Sequence, residues 1–138
     1  MDYYQSEAEI EVVVKGFESC ATPKEDFKHR DHLTVAVWYL RHLTQEEALQ
    51  KMRSGLFRFL DHHGVGRAKY HETLTIFWIR LVHNALEQMD AETSLVERMN
   101  AVFERLVEPA VVLEYYSEGC LKSEAAKTGW VEPDLKDL

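Results

Sequence analysis

Cysteine, proline and glycine are scarce in this chain, and each scarcity removes a class of protein. The two cysteines, Cys20 and Cys120, stand alone with no Cys-x-x-Cys pair. That excludes a disulfide framework, a zinc ribbon and a thioredoxin-like redox motif, and it suits reduced thiols. Three prolines and six glycines leave few sites for tight hairpins. No run approaches the ~18 consecutive apolar residues of a membrane span, so no membrane partner is expected. Lys and Arg total 16 against 24 Asp and Glu, a net charge of −8. With no densely basic stretch, nucleic acid is not an expected partner either. A Gly-rich phosphate loop, a Ser nucleophile elbow and a Rossmann fingerprint are missing. The first residues, Met1 to Glu7, are polar and acidic, unlike a signal peptide, and the expected location is the cytoplasm.

What remains is helical. The 138 residues, 46% of them hydrophobic and 29% charged, suffice for one domain with its own core. Helix one is expected from Ser6 to Cys20 with Ile10, Val13, Val14 and Phe17 on one face, its acidic first turn favouring a helix over a strand. Helix two is expected from Lys28 to Leu43, capped by Asp26, with a stripe of Leu33, Ala36, Val37, Leu40 and Leu43. Thr44 and Glu47 form a capping box for helix three, which runs to His62 before Gly64 and Gly66 end it. Helix four, Tyr70 to Met89, is the most apolar, and the Ser94/Glu97 capping box opens helix five. Pro109 begins a short helix over Ala110 to Tyr116, and Ser123 to Lys127 makes another. Trp130 and Leu135 of the tail are expected to pack down on the bundle.

Two histidine-bearing segments open helices two and four: Phe27-Lys28-His29-Arg30-Asp31-His32-Leu33 and Tyr70-His71-Glu72-Thr73-Leu74-Thr75. By helical geometry His29 falls within about 20° of the middle of the apolar stripe. His32 lies on its shoulder, three residues on, close enough for both rings to share a ligand. Tyr70 and His71 flank the face of Leu74, Phe77, Trp78 and Leu81, whereas Glu72 points well off it. If helices two, three and four run up, down, up, the starts of two and four share one end of the bundle. The end of helix one, with Glu18 and Cys20, and the end of helix three, with His62 and His63, belong there too.

Three readings follow. A divalent-metal site would draw on His29, His32 and His71 with Glu18 and Glu72, the neutral imidazoles and carboxylates that zinc, iron, nickel or manganese accept. The chain lacks both His-Glu-x-x-His and a suitably placed Glu-x-x-His. A metal-free pocket for a small-molecule ligand would use His29, His32 and His71, with Tyr70 and Trp78 as lining. If it is an enzyme, His71 and His32 are its catalytic candidates, as general base or beside a metal-bound water. The third reading makes the histidines structural, bonded across the core or at helix ends.

The ordered motifs His29-Arg30-Asp31-His32-Leu33-Thr34-Val35-Ala36, Tyr70-His71-Glu72-Thr73-Leu74-Thr75-Ile76-Phe77-Trp78 and Trp130-Val131-Glu132-Pro133-Asp134-Leu135 span most of the chain. In these the chain resembles a family of small uncharacterised bacterial helical proteins. The resemblance implies an all-helical fold and draws attention to the same histidines and tail, and it implies no activity. The expectation is therefore an all-α, compact, single-domain (1–138), mainly antiparallel bundle of five or more helices with a packed tail. It would bind a small ligand or divalent metal at one end. The alternative is a non-catalytic interaction module, such as a homodimer, using Ile76 and Ile79 on an outer side of helix four.

Overall fold

The computed structural model describes residues 3–138, and no strand occurs among them. The α-helices are α1 (Glu7–Glu18), α2 (His29–Leu40), α3 (Gln45–His62), α4 (Glu72–Glu87), α5 (Leu95–Leu106), α6 (Glu118–Leu121) and α7 (Glu124–Thr128). Short 3-10 turns occupy Lys24–Asp26, Arg67–Lys69 and Pro109–Glu114. None of these helices is long and apolar enough to cross a membrane.

The helix starts follow the local chemistry. Ser6, Thr44 and Ser94 accept hydrogen bonds from the backbone amides of Glu9, Glu47 and Glu97, and each glutamate reaches back to the cap residue. These reciprocal bonds satisfy amides that a helix leaves unpaired. Asp26 does not cap α2. It sits in its own 3-10 turn, and Asp31 instead accepts from the Lys28 amide at 2.9 Å. Helix α4 starts at Glu72 rather than Tyr70, because His71 is extended and serves as the cap. Gly64 and Gly66 adopt φ of +68° and +82°, which is how the chain turns away after α3.

Helix α2 packs against α1, α3, α4 and α5, so its apolar stripe widens into a nearly complete ring. Leu33, Thr34, Val35, Ala36, Val37 and Tyr39 are all buried. The Thr34 hydroxyl is satisfied by the Arg30 carbonyl at 3.0 Å and by the Tyr4 hydroxyl at 2.8 Å. Asn100 of α5 holds the segment before α1, taking the amides of Tyr3 and Tyr4 and donating to the Tyr4 carbonyl.

Helix α4 is likewise enclosed, between α2, α3, α5 and α7. Ile76 and Ile79 are therefore buried, at 8% and 2% exposure, and form no outer strip for a partner. Packing on both sides, which periodicity does not report, is the reason. A second apolar cluster of Phe77, Val112 and Tyr116 seats the C-terminal region on α4. The Tyr116 hydroxyl donates to the Val131 carbonyl at 2.6 Å, Thr73 bonds both Gly129 and Val131, and Asp134 takes the Ser117 hydroxyl and amide. The Leu135 amide donates to Tyr115, but the Leu135 side chain is 58% exposed. Backbone bonding, rather than burial of that leucine, fastens the tail's end.

Gly55 of α3 lies against the Phe17 ring, where an added Cβ would come within 2.7 Å of Cε2. Phe17 is fully buried and stacked on Phe27 at 4.7 Å, so it has no room to retreat. Gly55→Ala should destabilise the protein by about 1–2 kcal/mol despite the better helix propensity of alanine. Chemical denaturation checks this, and an alanine variant as stable as the wild type would contradict the packing.

Candidate ligand-binding cleft

The beginnings of α2 and α4 and the later turns of α3 surround one cleft of about 720 Å³. Helix α3 contributes Met52, Leu56, Phe59 and Leu60, and α4 contributes Leu74, Thr75, Trp78 and Ile79. Phe27, Val65, Pro109 and Val112 close the wall from the connecting segments. The volume lies in the range of small-molecule sites, and an apolar wall with a few polar groups is what such sites present. His29, His32, Tyr70, His71 and Trp78 all line it. Glu18, Glu72, His62 and His63 do not.

The histidines divide by what their nitrogens do. His71 has both engaged: Nδ1 accepts from the Leu74 amide at 3.2 Å, and Nε2 faces the Leu121 carbonyl at 2.8 Å. A neutral ring with the proton on Nε2 satisfies both contacts at once. The ring edge reaches the cleft while its nitrogens tie the start of α4 to the end of α6. As described, His71 has no free lone pair for a metal or a proton transfer.

His29 uses one nitrogen. Its Nε2 donates to the Leu106 carbonyl at 3.1 Å, and its ring packs against Trp78 at 4.4 Å. Burial lowers its pKa, with the Leu106 carbonyl and the Glu108 charge opposing the shift. Nδ1 is left as an acceptor.

His32 uses neither nitrogen on the protein. Its contact is with the Phe27 ring at 4.5 Å, and no hydrogen-bond partner is found among the described residues. It is half-buried and lines the cleft. That burial, with His29 close by, lowers its pKa to about 4. A neutral imidazole offers one donor and one acceptor, so His32 presents both to whatever enters.

The carboxylates proposed from sequence are committed elsewhere. Glu72 pairs with Arg53 through two bonds, at 3.0 and 2.6 Å, and accepts the Tyr70 hydroxyl. Burial alone would raise its pKa, but Arg53 and Tyr70 hold it below the usual carboxylate value. The Tyr70 hydroxyl is pushed up to about 12, first by burial and then by Glu72, and its ring is what faces the cleft. Glu18 accepts the Tyr39 hydroxyl at 2.6 Å. The His63 ring stacks on Phe59 with Nε2 buried and unbonded, while His62 lies in a shallow depression with Arg58 and Arg67.

Among the described residues, no group of three or more His, Cys, Asp or Glu stands where it could hold a metal ion. Among the described histidines only His29 and His32 bring free ring nitrogens to the cleft, short of the three or four protein ligands of a zinc site. The five residues considered as a metal set therefore do not converge. Lys24 and Lys69, exposed at the rim, belong to no motif of the sequence, and the spacing of Met52, Leu56 and Phe59 along α3 is that of ordinary core. No local pattern separates a leucine facing a cleft from one facing a core, although the basic residue directly before Tyr70 was legible. No family model, curated protein or solved structure matches the chain.

Two predictions follow from the histidines. The unfolded chain protonates His32 near pH 6.5 and the folded one only near 4, so the unfolded state binds more protons between those values. Stability should fall as pH drops through that window, by up to roughly 3 kcal/mol from this group. His32→Leu should flatten that part of the stability–pH curve, and an unchanged curve would contradict the assignment. His71→Ala should cost about 2 kcal/mol, as a lost cap plus a lost carbonyl bond. His71→Asn should recover part of it in thermal unfolding.

Proposed function

We propose that this protein binds a small organic molecule in the cleft, an apolar body bearing one hydrogen-bonding group that reaches His32. The observation that carries the reading is the His32 imidazole, unbonded among the described residues and set in a wall that is mainly apolar and aromatic. A ligand hydroxyl, amide or carbonyl would supply the hydrogen bond that the protein itself does not give this imidazole. His29 supplies a further acceptor, while Phe27, Phe59, Tyr70 and Trp78 provide flat surfaces suited to a ring or an extended chain. The same neutral imidazole in a dry cleft suits proton transfer to a bound substrate, but no nucleophile is paired with it. Binding is therefore the function proposed.

The test uses 2-naphthol and naphthalene, followed by tryptophan fluorescence and calorimetry. Wild type should bind 2-naphthol in a one-to-one complex up to about tenfold tighter than naphthalene, the worth of one buried hydrogen bond. His32→Leu should erase the preference and keep naphthalene binding. Leu56→Trp, which fills the cleft, should abolish both while the circular dichroism spectrum stays native. Undiminished binding to a folded Leu56→Trp variant, or no binding of either probe to wild type, would overturn the reading.

A further inference from the structure

We propose that the ligand of this cleft is a monocarboxylate whose charged end rests at the mouth, between Lys24 and Lys69, and whose inner end meets His32. This deepens the preceding proposal and rests on it. Lys24 and Lys69 come from separate 3-10 turns, Lys24–Asp26 and Arg67–Lys69, yet both border the same cleft. Both are exposed, and neither has an ion-pair partner among the described residues. Several other cations are matched: Arg53 to Glu72, Arg67 to Asp61, Lys15 to Glu11 and Lys136 to Glu114. In a chain of net charge −8, acidic partners are plentiful. Other lysines, such as Lys28, Lys122 and Lys127, also lack an ion pair among the described residues, so what sets Lys24 and Lys69 apart is that both border one opening.

The rim's third charge is Glu25, also exposed and unpaired. Among the lining residues two cations and one anion leave a single positive excess, and with the Glu108 charge acting on His29 behind them this suits a monoanion better than a phosphate dianion. The walls argue for where that charge stays. Drawing a carboxylate among Met52, Leu56 and Trp78 would strip its water without supplying a cation, a desolvation cost that a neutral imidazole does not offset. At the mouth the carboxylate keeps part of its hydration and gains two flexible ammonium groups. The apolar body then fills the cleft, and its far end carries the hydrogen-bonding group.

The matched probes are 6-hydroxy-2-naphthoate and its methyl ester, which share the inner hydroxyl and the ring and differ in charge. Calorimetry on wild type should show the acid binding about fivefold tighter than the ester, as expected for two exposed charge contacts. Lys24→Met/Lys69→Met should bring the two within about twofold of each other and leave ester affinity unchanged. Glu25→Gln should strengthen binding of the acid alone. Raising salt to ~1 M, where the Debye length is ~3 Å, should erase the preference. Equal affinities in wild type, or a preference that survives the double substitution, would overturn the anionic ligand and leave the cleft's binding role standing. If neither compound binds and 2-naphthol also fails, the binding role itself falls.

Discussion

Helix α2 is buried on nearly every side, and a helix so placed must have each of its polar groups satisfied by neighbouring protein. The structure answers that demand residue by residue. Thr34 bonds Tyr4 and the Arg30 carbonyl, Tyr39 bonds Glu18, and His29 reaches the Leu106 carbonyl. The first turns of α2 border the cleft, and there His32 is left without a hydrogen-bond partner among the described residues. His32 marks the place where packing stopped short.

The contrast between His32 and His71 is one of accounting for nitrogens. Both lie near the start of a helix, and both line the same cleft. His71 sits one residue before its helix, where the ring can fold back onto the Leu74 amide and still reach Leu121. His32 lies one turn inside α2, where backbone amides are already used and no carbonyl from another element comes within reach. A shift of a few positions relative to the cap thus separates a structural imidazole from an available one. The Glu72–Arg53–Tyr70 network works in the same direction: it secures the α3–α4 contact and keeps a carboxylate out of the cleft. The interior therefore stays uncharged.

The C-terminal region shapes the site indirectly. Pro109 and Val112 form part of the cleft wall, and the turn they belong to leads straight into Tyr115 and Tyr116. Those residues are tied to the tail through Leu135 and Val131, and the tail is tied to α4 through Thr73. His71 adds the bond to α6. Wall, tail and helix start form one connected unit, so movement of the tail would be felt at the cleft.

The sequence by itself determined the helices and most of their ends, because caps and apolar spacing act over three or four residues. Ser6, Thr44, Ser94, Gly64 and Gly66 did what their local chemistry dictates. Alternating helix direction also led to the expectation that His29, His32, His71 and Glu18, with His62 or His63, would gather at one end; His29, His32 and His71 line one cleft, and Glu18, His62 and His63 do not. What the sequence could not carry was any property that depends on a partner far along the chain. Burial of α2 and α4 on several faces, which hides Ile76 and Ile79, is set by which helices pack on them. The diversion of Glu18 and Glu72 to Tyr39 and Arg53 and the saturation of His71 by Leu121 are long-range pairings, and Lys24 and Lys69, far apart in sequence, border one cleft. Helical periodicity assigns a side chain to a face, and only the tertiary structure decides whether that face meets a helix, a carbonyl or an open cleft.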